Sequence, residues 1–269
     1  MAEVILTVNT EIGIKVEADV ITPDAFAGKN KSDIESLQVW QGPKQLPLSA
    51  FFDVEGDAGS SAEDTSIVIK GDTSRVKRIG EKMTAGKITV EGSVSMHVGS
   101  QMEGGEILVK GDADSWAGME MKGGLLHIEG NAKDHVGCAY RGKWVGMSGG
   151  RIVLDGNANN NLGGGISGGE IIVGGNVGHY CGIRQNGGLI AVKGNAIRAV
   201  AAEMTAGTMV VNGTIERFSP GFEYVANESD LKFDDIECPG EFMKFLGDNA
   251  ITKRPKGSLY VNQAANMDL

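Results

Sequence analysis

The chain has 269 residues, a formal net charge of −10 and only three cysteines. The negative charge argues against nucleic acid or an anionic membrane as a partner. No apolar run is long enough to predict a membrane span, and the first residues lack the features of a signal peptide. Because Cys138, Cys181 and Cys238 are odd in number and far apart, they favour a cytoplasmic protein over a disulfide framework, a zinc ribbon or an iron–sulfur ligand set.

Residues 1–66 contain no internal repeat and predict an N-terminal cap. Residues 22–28 predict one helical turn with proline at its first position, and residues 32–35 have the spacing of a capping box before a second short helix. Strands are predicted at 3–8, 38–40 and 46–54. Such a cap is expected because the first repeat of a stacked array otherwise exposes strand edges and an open core.

Residues 67–214 repeat one short pattern eight times. Each copy ends in a glycine, and the steps between these closing glycines are 21, 19, 19, 26, 19, 19 and 19 residues. The glycines are Gly71, Gly92, Gly111, Gly130, Gly156, Gly175, Gly194 and Gly213. Asp or Asn follows most of them, a pair typical of turns with positive φ. A fixed period of this size predicts stacked structural repeats.

Each copy contains the pattern apolar–x–apolar just before its closing glycine. The first apolar column is Ile67, Ile88, Ile107, Leu126, Ile152, Ile171, Ile190 and Met209, and the second is Ile69, Val90, Val109, Ile128, Leu154, Val173, Val192 and Val211. A spacing of two places both columns on one face of a strand, and so short a strand buries that face only by stacking. The fold predicted is all-β: a right-handed parallel β-helix with coils of about 19 residues and short α/β caps at both ends.

Residues 215–269 leave the repeat and predict a C-terminal cap or extension. Residues 239–247 have the pattern of a short amphipathic helix that ends at a glycine. Residues 257–261 predict a last strand.

The sequence offers no set of side chains for catalysis, cofactor binding or metal binding. His97 and His135 occupy the same slot of the repeat two coils apart, which separates their backbones by about 10 Å and disfavours a shared ion. Gly163, Gly164 and Gly165 lack the context of a phosphate-binding loop. The expectation is therefore a chain without a catalytic, cofactor or metal site.

Apolar and aromatic residues on the predicted outer face indicate a covered surface. The column between the two buried ones includes Leu108, Val153, Ile172 and Val210, and a parallel column includes Trp116 and Tyr180. The 26-residue step adds a loop containing Tyr140, Arg141 and Trp144. These nine residues predict one partner interface, because Trp, Tyr and Arg most often anchor interfaces. The alternative is that the protein's own caps or tail cover the outer face.

The unit Gly80-x-x-Met83-x-x-Gly86-x-Ile88-x-Val90-x-Gly92 resembles the repeat in the C subunits of formylmethanofuran dehydrogenases from methanogenic archaea. The resemblance extends outside the repeat to residues 51–56, 74–76, 140–142 and 220–224. It implies a right-handed parallel β-helix in a complex that reversibly reduces CO2 and attaches the formyl group to methanofuran, the first step of methanogenesis from CO2. It assigns no catalytic residue to this kind of subunit.

The resemblance also implies where the cofactors and partners lie. A tungsten or molybdenum pterin, iron–sulfur clusters and a metal-dependent hydrolase site are expected in other subunits. The expected partners are the metal-pterin subunit and the amidohydrolase-like subunit.

Other functions remain open at the level of sequence. The β-helix is also similar to the C subunit of a bacterial formyltransferase/hydrolase complex and to the C-terminal domain of the large glutamate synthase subunit. An independent β-helix enzyme, such as a polysaccharide lyase or a γ-type carbonic anhydrase, is disfavoured. The first usually has a secretion signal and carboxylates clustered on one face, and the second has 18-residue coils and three histidines that meet across subunits.

Overall fold

The N-terminal segment forms five strands and two short helices in a computed structural model that describes residues 1–269. In chain order they are β1 (Ala2–Val8), β2 (Val16–Glu17), α1 (Pro23–Phe26), α2 (Lys31–Glu35), β3 (Gln38–Gln41), β4 (Lys44–Pro47), a 3-10 turn (Leu48–Ala50) and β5 (Phe52–Glu55). The turn interrupts the strand predicted over 46–54. Both helices were predicted, and the Thr22 hydroxyl accepts the N–H of Ala25 to cap α1. The N-cap of α2 is Asn30 rather than Ser32, because Asn30 Oδ1 accepts the N–H of Asp33 at 3.1 Å.

One strand lies at each of the eight predicted repeats. The strands of this region are β6 (Thr65–Lys70), β7 (Val76–Lys77), β8 (Lys87–Val90), β9 (Glu106–Val109), β10 (Leu125–Ile128), β11 (Ser148–Leu154), β12 (Gly168–Val173), β13 (Asn186–Val192), β14 (Ala196–Arg198), β15 (Ala206–Val211) and β16 (Ile215–Arg217). The repeat strands β6, β8 to β13 and β15 pair in parallel in chain order. Both predicted inward columns are confirmed, since no member is more than 2% exposed.

The register is the same at every step, including the long one. Ile107 lies opposite Leu126, and Leu126 lies opposite Ile152 across the 26-residue step. The seven additional residues therefore leave the sheet undisturbed and are accommodated between strands. A second parallel ladder of single bridges joins the repeats at Thr73, Val94, Ala113, Ala132, Ala158, Val177 and Ala196.

The Asp and Asn residues after the closing glycines form a ladder of side-chain hydrogen bonds, which we call the amide ladder. Each side-chain oxygen accepts the backbone N–H of the corresponding residue in the next repeat, at 2.7 to 2.9 Å. The ladder runs through Asp112, Asn131, Asn157, Asn176 and Asn195 and ends on the N–H of Thr214. These residues therefore connect successive repeats, and turn formation is only part of their role.

The sequence predicts that the closing glycines are needed for a positive φ, and this is wrong for seven of the eight. Only Gly71 has a positive φ, +93°. A Cβ at Gly111 would lie 2.7 Å from backbone atoms of Gly92 and Ser93 in the preceding repeat. Glycine is needed there because adjacent backbones approach too closely for any side chain.

The C-terminal segment adds three strands, β17 (Glu223–Phe233), β18 (Ile236–Gly247) and β19 (Gly257–Asn262). β19 confirms the predicted last strand and pairs in parallel with β15, whereas β17 and β18 form an antiparallel hairpin beside it. The helix predicted over 239–247 is wrong, because those residues belong to β18. A segment this short with mixed apolar and charged residues fits either structure, and pairing along the whole of β19 selects the strand. The C-terminal cap therefore has no helix.

Nineteen strands and two short helices make the protein all-β, as predicted. The main sheet has 13 strands in the order β17-β18-β19-β15-β13-β12-β11-β10-β9-β8-β6-β1-β5. Strands β4, β3, β2 and β7 form a separate four-stranded sheet at the N-terminal end, and β14 pairs with β16. One core of 56 buried residues extends from Val4 to Val261 along the inner face.

The β17–β18 hairpin also packs against the outer face of the main sheet. A second, smaller core joins Leu231, Ile236 and Phe242 of the hairpin to residues of β13, β15 and β19, namely Leu189, Ala191, Val210 and Tyr260. At the hairpin tip, Asp235 accepts a hydrogen bond from Arg151 of β11 at 2.7 Å. The hairpin therefore reaches across four strands of the sheet.

Candidate partner interface

The loop inserted in the 26-residue repeat projects from the stack after Gly137, as the spacing predicts. Tyr140 is 49% exposed and Trp144 is 68% exposed, and Arg141 between them is exposed as well. Exposed aromatic and arginine side chains on one short loop are the composition of an interface anchor. The three predicted loop residues are therefore brought together at the surface.

Glu120, in the preceding repeat, holds the first half of the loop. Its carboxylate accepts hydrogen bonds from Lys143 Nζ at 2.8 Å, from Gln101 Nε2 at 2.9 Å and from the backbone N–H of Tyr140 at 3.1 Å. Burial by itself raises the pKa of Glu120, but these donors outweigh it and the pKa lies below its usual value. A nearly buried carboxylate with three donors stays ionised at neutral pH and fixes the loop. The sequence analysis did not identify Glu120.

The second half of the loop is held by the following repeat. Gly164 and Gly165 occupy the slots that Met119 and Glu120 occupy two repeats earlier, in the repeat before the loop. A Cβ at Gly164 would lie 2.6 Å from the sulfur of Cys138, and the N–H of Gly146 donates to the carbonyl of Gly165 at 2.8 Å. The glycines therefore make room for the loop. The sequence analysis noted the three consecutive glycines only to reject a phosphate-binding loop. They were also the signal in the sequence for this close contact with the inserted loop.

Trp144 is supported by a cation from the second repeat after the loop. The Arg184 guanidinium lies 4.4 Å from the centre of the Trp144 ring, and its Nε donates to Glu203 at 2.8 Å. A guanidinium over an indole face is a favourable cation–π contact. This contact positions the indole while leaving most of it exposed to solvent.

Trp116 lies beneath the loop and is not exposed, contrary to its prediction as an outer-face residue. It is 6% exposed and stacks between His135 at 4.1 Å and His97 at 6.1 Å, with the Tyr140 ring at 6.0 Å. All three stacked residues have left-handed backbones, with φ of 67° to 70°. Trp116 can support the loop from below but presents little surface to a partner.

The stacked histidines are neutral at physiological pH. Burial, reinforced by Arg78 and Lys77, lowers the pKa of His97 to about 4. Burial also lowers the pKa of His135. Trp116 separates the two rings, and nowhere in the chain do three or more His, Cys, Asp or Glu side chains group as metal ligands would.

The outer apolar column is divided into an accessible half and a covered half. The prediction that Val210 is available to a partner is wrong. Leu108 and Val153 are half-buried and accessible, as expected. Val210 is 1% exposed, and Ile172 packs against the same small core beneath the hairpin. The C-terminal hairpin therefore covers Val210 and shields Ile172, so neither is freely available to a partner. For this half of the column, the alternative that the protein's own chain covers the outer face applies. Tyr180 is 37% exposed, with the His179 ring 6.4 Å from its own.

Six of the nine residues predicted to form the interface are therefore accessible. They are the loop residues Tyr140, Arg141 and Trp144, together with Leu108, Val153 and Tyr180. Neither helix has the length and apolar composition to cross a membrane. Fold and surface together define an all-β protein of stacked parallel repeats, with an inserted aromatic and cationic loop.

Comparison with known proteins identifies the family. No family model matches the chain. It is 76% identical to the C subunit of the molybdenum-containing formylmethanofuran dehydrogenase 1 of Methanosarcina barkeri, over all of this chain and 89% of the relative. It is 47% identical over 97 residues, 36% of each chain, to the C subunit of the tungsten-containing formylmethanofuran dehydrogenase 2 of Methanothermobacter thermautotrophicus. The chain belongs to the family of formylmethanofuran dehydrogenase C subunits.

A solved structure is similar over nearly its whole length. It is a chain of the formyltransferase/hydrolase complex (FhcABCD) from Methylorubrum extorquens, solved in complex with methylofuran. The TM-score is 0.82 and the identity 26%, covering 96% of this chain and 99% of the other. The likeness extends beyond the sequence relatives to a protein from a multisubunit complex.

Proposed function

We propose that this chain is a scaffold subunit of a cytoplasmic formylmethanofuran dehydrogenase and holds no catalytic site itself. The observation that carries the proposal is the 76% identity along the whole chain to a C subunit of that enzyme. In the complex, CO2 is reduced at a tungsten or molybdenum pterin of another subunit, and the formyl group is attached to methanofuran at a metal site of a further, amidohydrolase-like subunit. Iron–sulfur clusters also belong to other subunits.

The proposed architecture is a right-handed parallel β-helix over residues 67–214, with caps at 1–66 and 215–269. Two features support it: the parallel pairing of consecutive repeat strands and the second ladder of parallel bridges. Right-handedness follows from the strong preference of parallel crossovers for that hand. An experimental structure with left-handed crossovers would contradict this part of the proposal.

The scaffold role is supported by how the polar groups of the chain are used. Glu120, a nearly buried carboxylate, anchors a loop, and the histidines at the same corner have lowered pKa values and stack on a tryptophan. These polar groups therefore serve structure, while the exposed aromatic residues of the loop have no role in the core.

The decisive experiment is purification of the tagged native protein, with its partners identified by mass and its metals measured. We expect the metal-pterin and amidohydrolase-like subunits to co-purify. The isolated chain should contain no stoichiometric metal and show no formylmethanofuran dehydrogenase activity. Stoichiometric zinc, tungsten or molybdenum on the isolated chain would overturn the scaffold proposal.

The proposed partner interface is the inserted loop with the accessible half of the outer column. Replacing both Tyr140 and Trp144 by Ala should weaken assembly by about 2 kcal/mol or more if either is a hot spot. The measurement is recovery of partner subunits in a pull-down, beside a circular dichroism spectrum that should not change.

Two exposed aromatic residues in the caps provide a matched control. Trp40 is 45% exposed and Tyr224 is 54% exposed. Replacing both by Ala removes similar side chains at a distance from the loop and should leave recovery unchanged. Full recovery with the loop variant would show that the loop is not the anchor.

The structural likeness favours one second candidate, a subunit of a formyltransferase/hydrolase complex. In that case the chain would again be a scaffold. The same purification distinguishes the two, because tungsten or molybdenum should be present in the first complex and absent from the second.

A further inference from the structure

A small cleft lies between the inserted loop and the neighbouring repeats on both sides of it. Its volume is about 210 Å³. Aromatic side chains Trp116, Tyr140 and Trp144 line it together with the cations Arg141, Lys143 and Arg184. No Asp or Glu side chain lines it, although the chain as a whole carries a net charge of −10. The cleft is therefore a local positive site on a negative protein.

The three cations are not equally available to a partner. Lys143 is bound to Glu120 at 2.8 Å, and Arg184 is bound to Glu203 at 2.8 Å while covering Trp144. Arg141 has no carboxylate within ion-pair distance and is exposed on the loop. Of the three cations that line the cleft, Arg141 is thus the one whose charge is not neutralised by a carboxylate of this chain.

We propose that this cleft receives an acidic side chain, Asp or Glu, from a partner subunit, with Arg141 as its main ligand. The proposal rests on the proposed function, in which the loop faces a partner. A guanidinium binds a carboxylate through two parallel hydrogen bonds, which fixes direction as well as charge. Tyr140 and Trp144 exclude water around the pair, and a charge pair is stronger where water is excluded.

The size of the cleft favours a side chain over a free ligand. Sites for small molecules usually enclose about 300 to 1,000 Å³, more than the 210 Å³ present here. A carboxylate presented by a folded partner needs only its own few atoms in the cleft, while the surrounding area is supplied by the protein interface.

The test reconstitutes the complex with variants at Arg141. Arg141→Glu should lower the affinity for the partner subunits at least tenfold and reduce the salt dependence of assembly, because it replaces attraction by repulsion. Arg141→Lys should retain part of the affinity, since an ammonium keeps the charge and loses the paired hydrogen bonds. Arg254→Glu, at another exposed arginine, should match the wild type.

The outcomes separate this inference from the function on which it rests. If the loop variant without Tyr140 and Trp144 assembles poorly while Arg141→Glu assembles normally, the loop is the interface and the carboxylate partner is wrong. If both assemble normally, the interface itself is wrong. If Arg141→Glu is impaired and Arg141→Lys assembles as well as the wild type, bidentate recognition is wrong and only attraction between charges remains.

Discussion

The aliphatic side chains of the outer apolar column have opposite surroundings in its two halves. Ile172, Ala191 and Val210 lie beneath or beside the C-terminal hairpin in the small second core. Leu108 and Val153, in the same slot of earlier repeats, are half-buried and have no covering segment. The hairpin ends where Asp235 reaches Arg151, so the boundary between the halves lies at β11.

This difference shows that a periodic sequence does not by itself produce periodic surroundings. Local spacing decides which face a residue occupies. Whether that face is covered depends on the C-terminal hairpin, which is distant in the chain from most of the column and follows no repeat. The covered half stabilises the cap, and the open half remains available to a partner.

The largest effect should come from removing the hairpin's main contact. Phe242 is fully buried in the second core, so Phe242→Ala should lower the free energy of unfolding by about 3 to 5 kcal/mol. Urea unfolding followed by circular dichroism would measure it. An effect well below about 1 kcal/mol would mean that the hairpin does not pack as described.

A matched pair in the column tests the comparison directly. Val210→Ala removes two methyl groups under the hairpin and should cost about 2 kcal/mol, whereas Val153→Ala removes the same groups on the open half and should cost less than about 1 kcal/mol. Both changes reduce strand propensity equally, so the difference reports coverage. Equal losses in the isolated chain would remove the distinction between the halves.

The smallest effect concerns the hairpin tip and depends on pH. The hydrogen bond from Arg151 lowers the pKa of Asp235 below its ordinary value of 3.8. The contact therefore stabilises the fold fully above the unfolded-state pKa and is lost as pH falls through the lower folded-state value. Asp235→Asn should reduce Tm by about a degree at pH 7, because exposed pairs contribute little. That difference should shrink steadily as the pH falls below the ordinary pKa of an aspartate, and a constant difference across pH would assign it to another cause.

The central region was predictable from sequence because one rule applies at every repeat. Inward positions follow directly from the spacing of Ile107 and Val109 and their equivalents, and the strand register follows from the same positions. The hairpin was not predictable in this way, since residues 239–247 mix apolar and charged residues in an order that suits a helix or a strand equally well. Pairing with β19, a non-local contact, decides between them.

The candidate interface was predictable only where the sequence breaks its own pattern. The inserted loop is visible as a change in step, and Tyr140, Arg141 and Trp144 are accessible as expected. Trp116 was misplaced because its slot also holds His97, His135 and Tyr180, which suggests an exposed ladder. The structure stacks those rings on one another, and rings that cover each other are withdrawn from solvent.

The amide ladder has a consequence for the length of the molecule. Each link spans a single strand spacing, about 4.8 Å, and the nine spacings between the flanking strands β1 and β19 place the two caps about 43 Å apart. Because every link is of the same kind, whole repeats can be added or removed without altering the links that remain. The number of repeats therefore sets a fixed distance, and two partners held at opposite caps would be kept apart in steps of one strand.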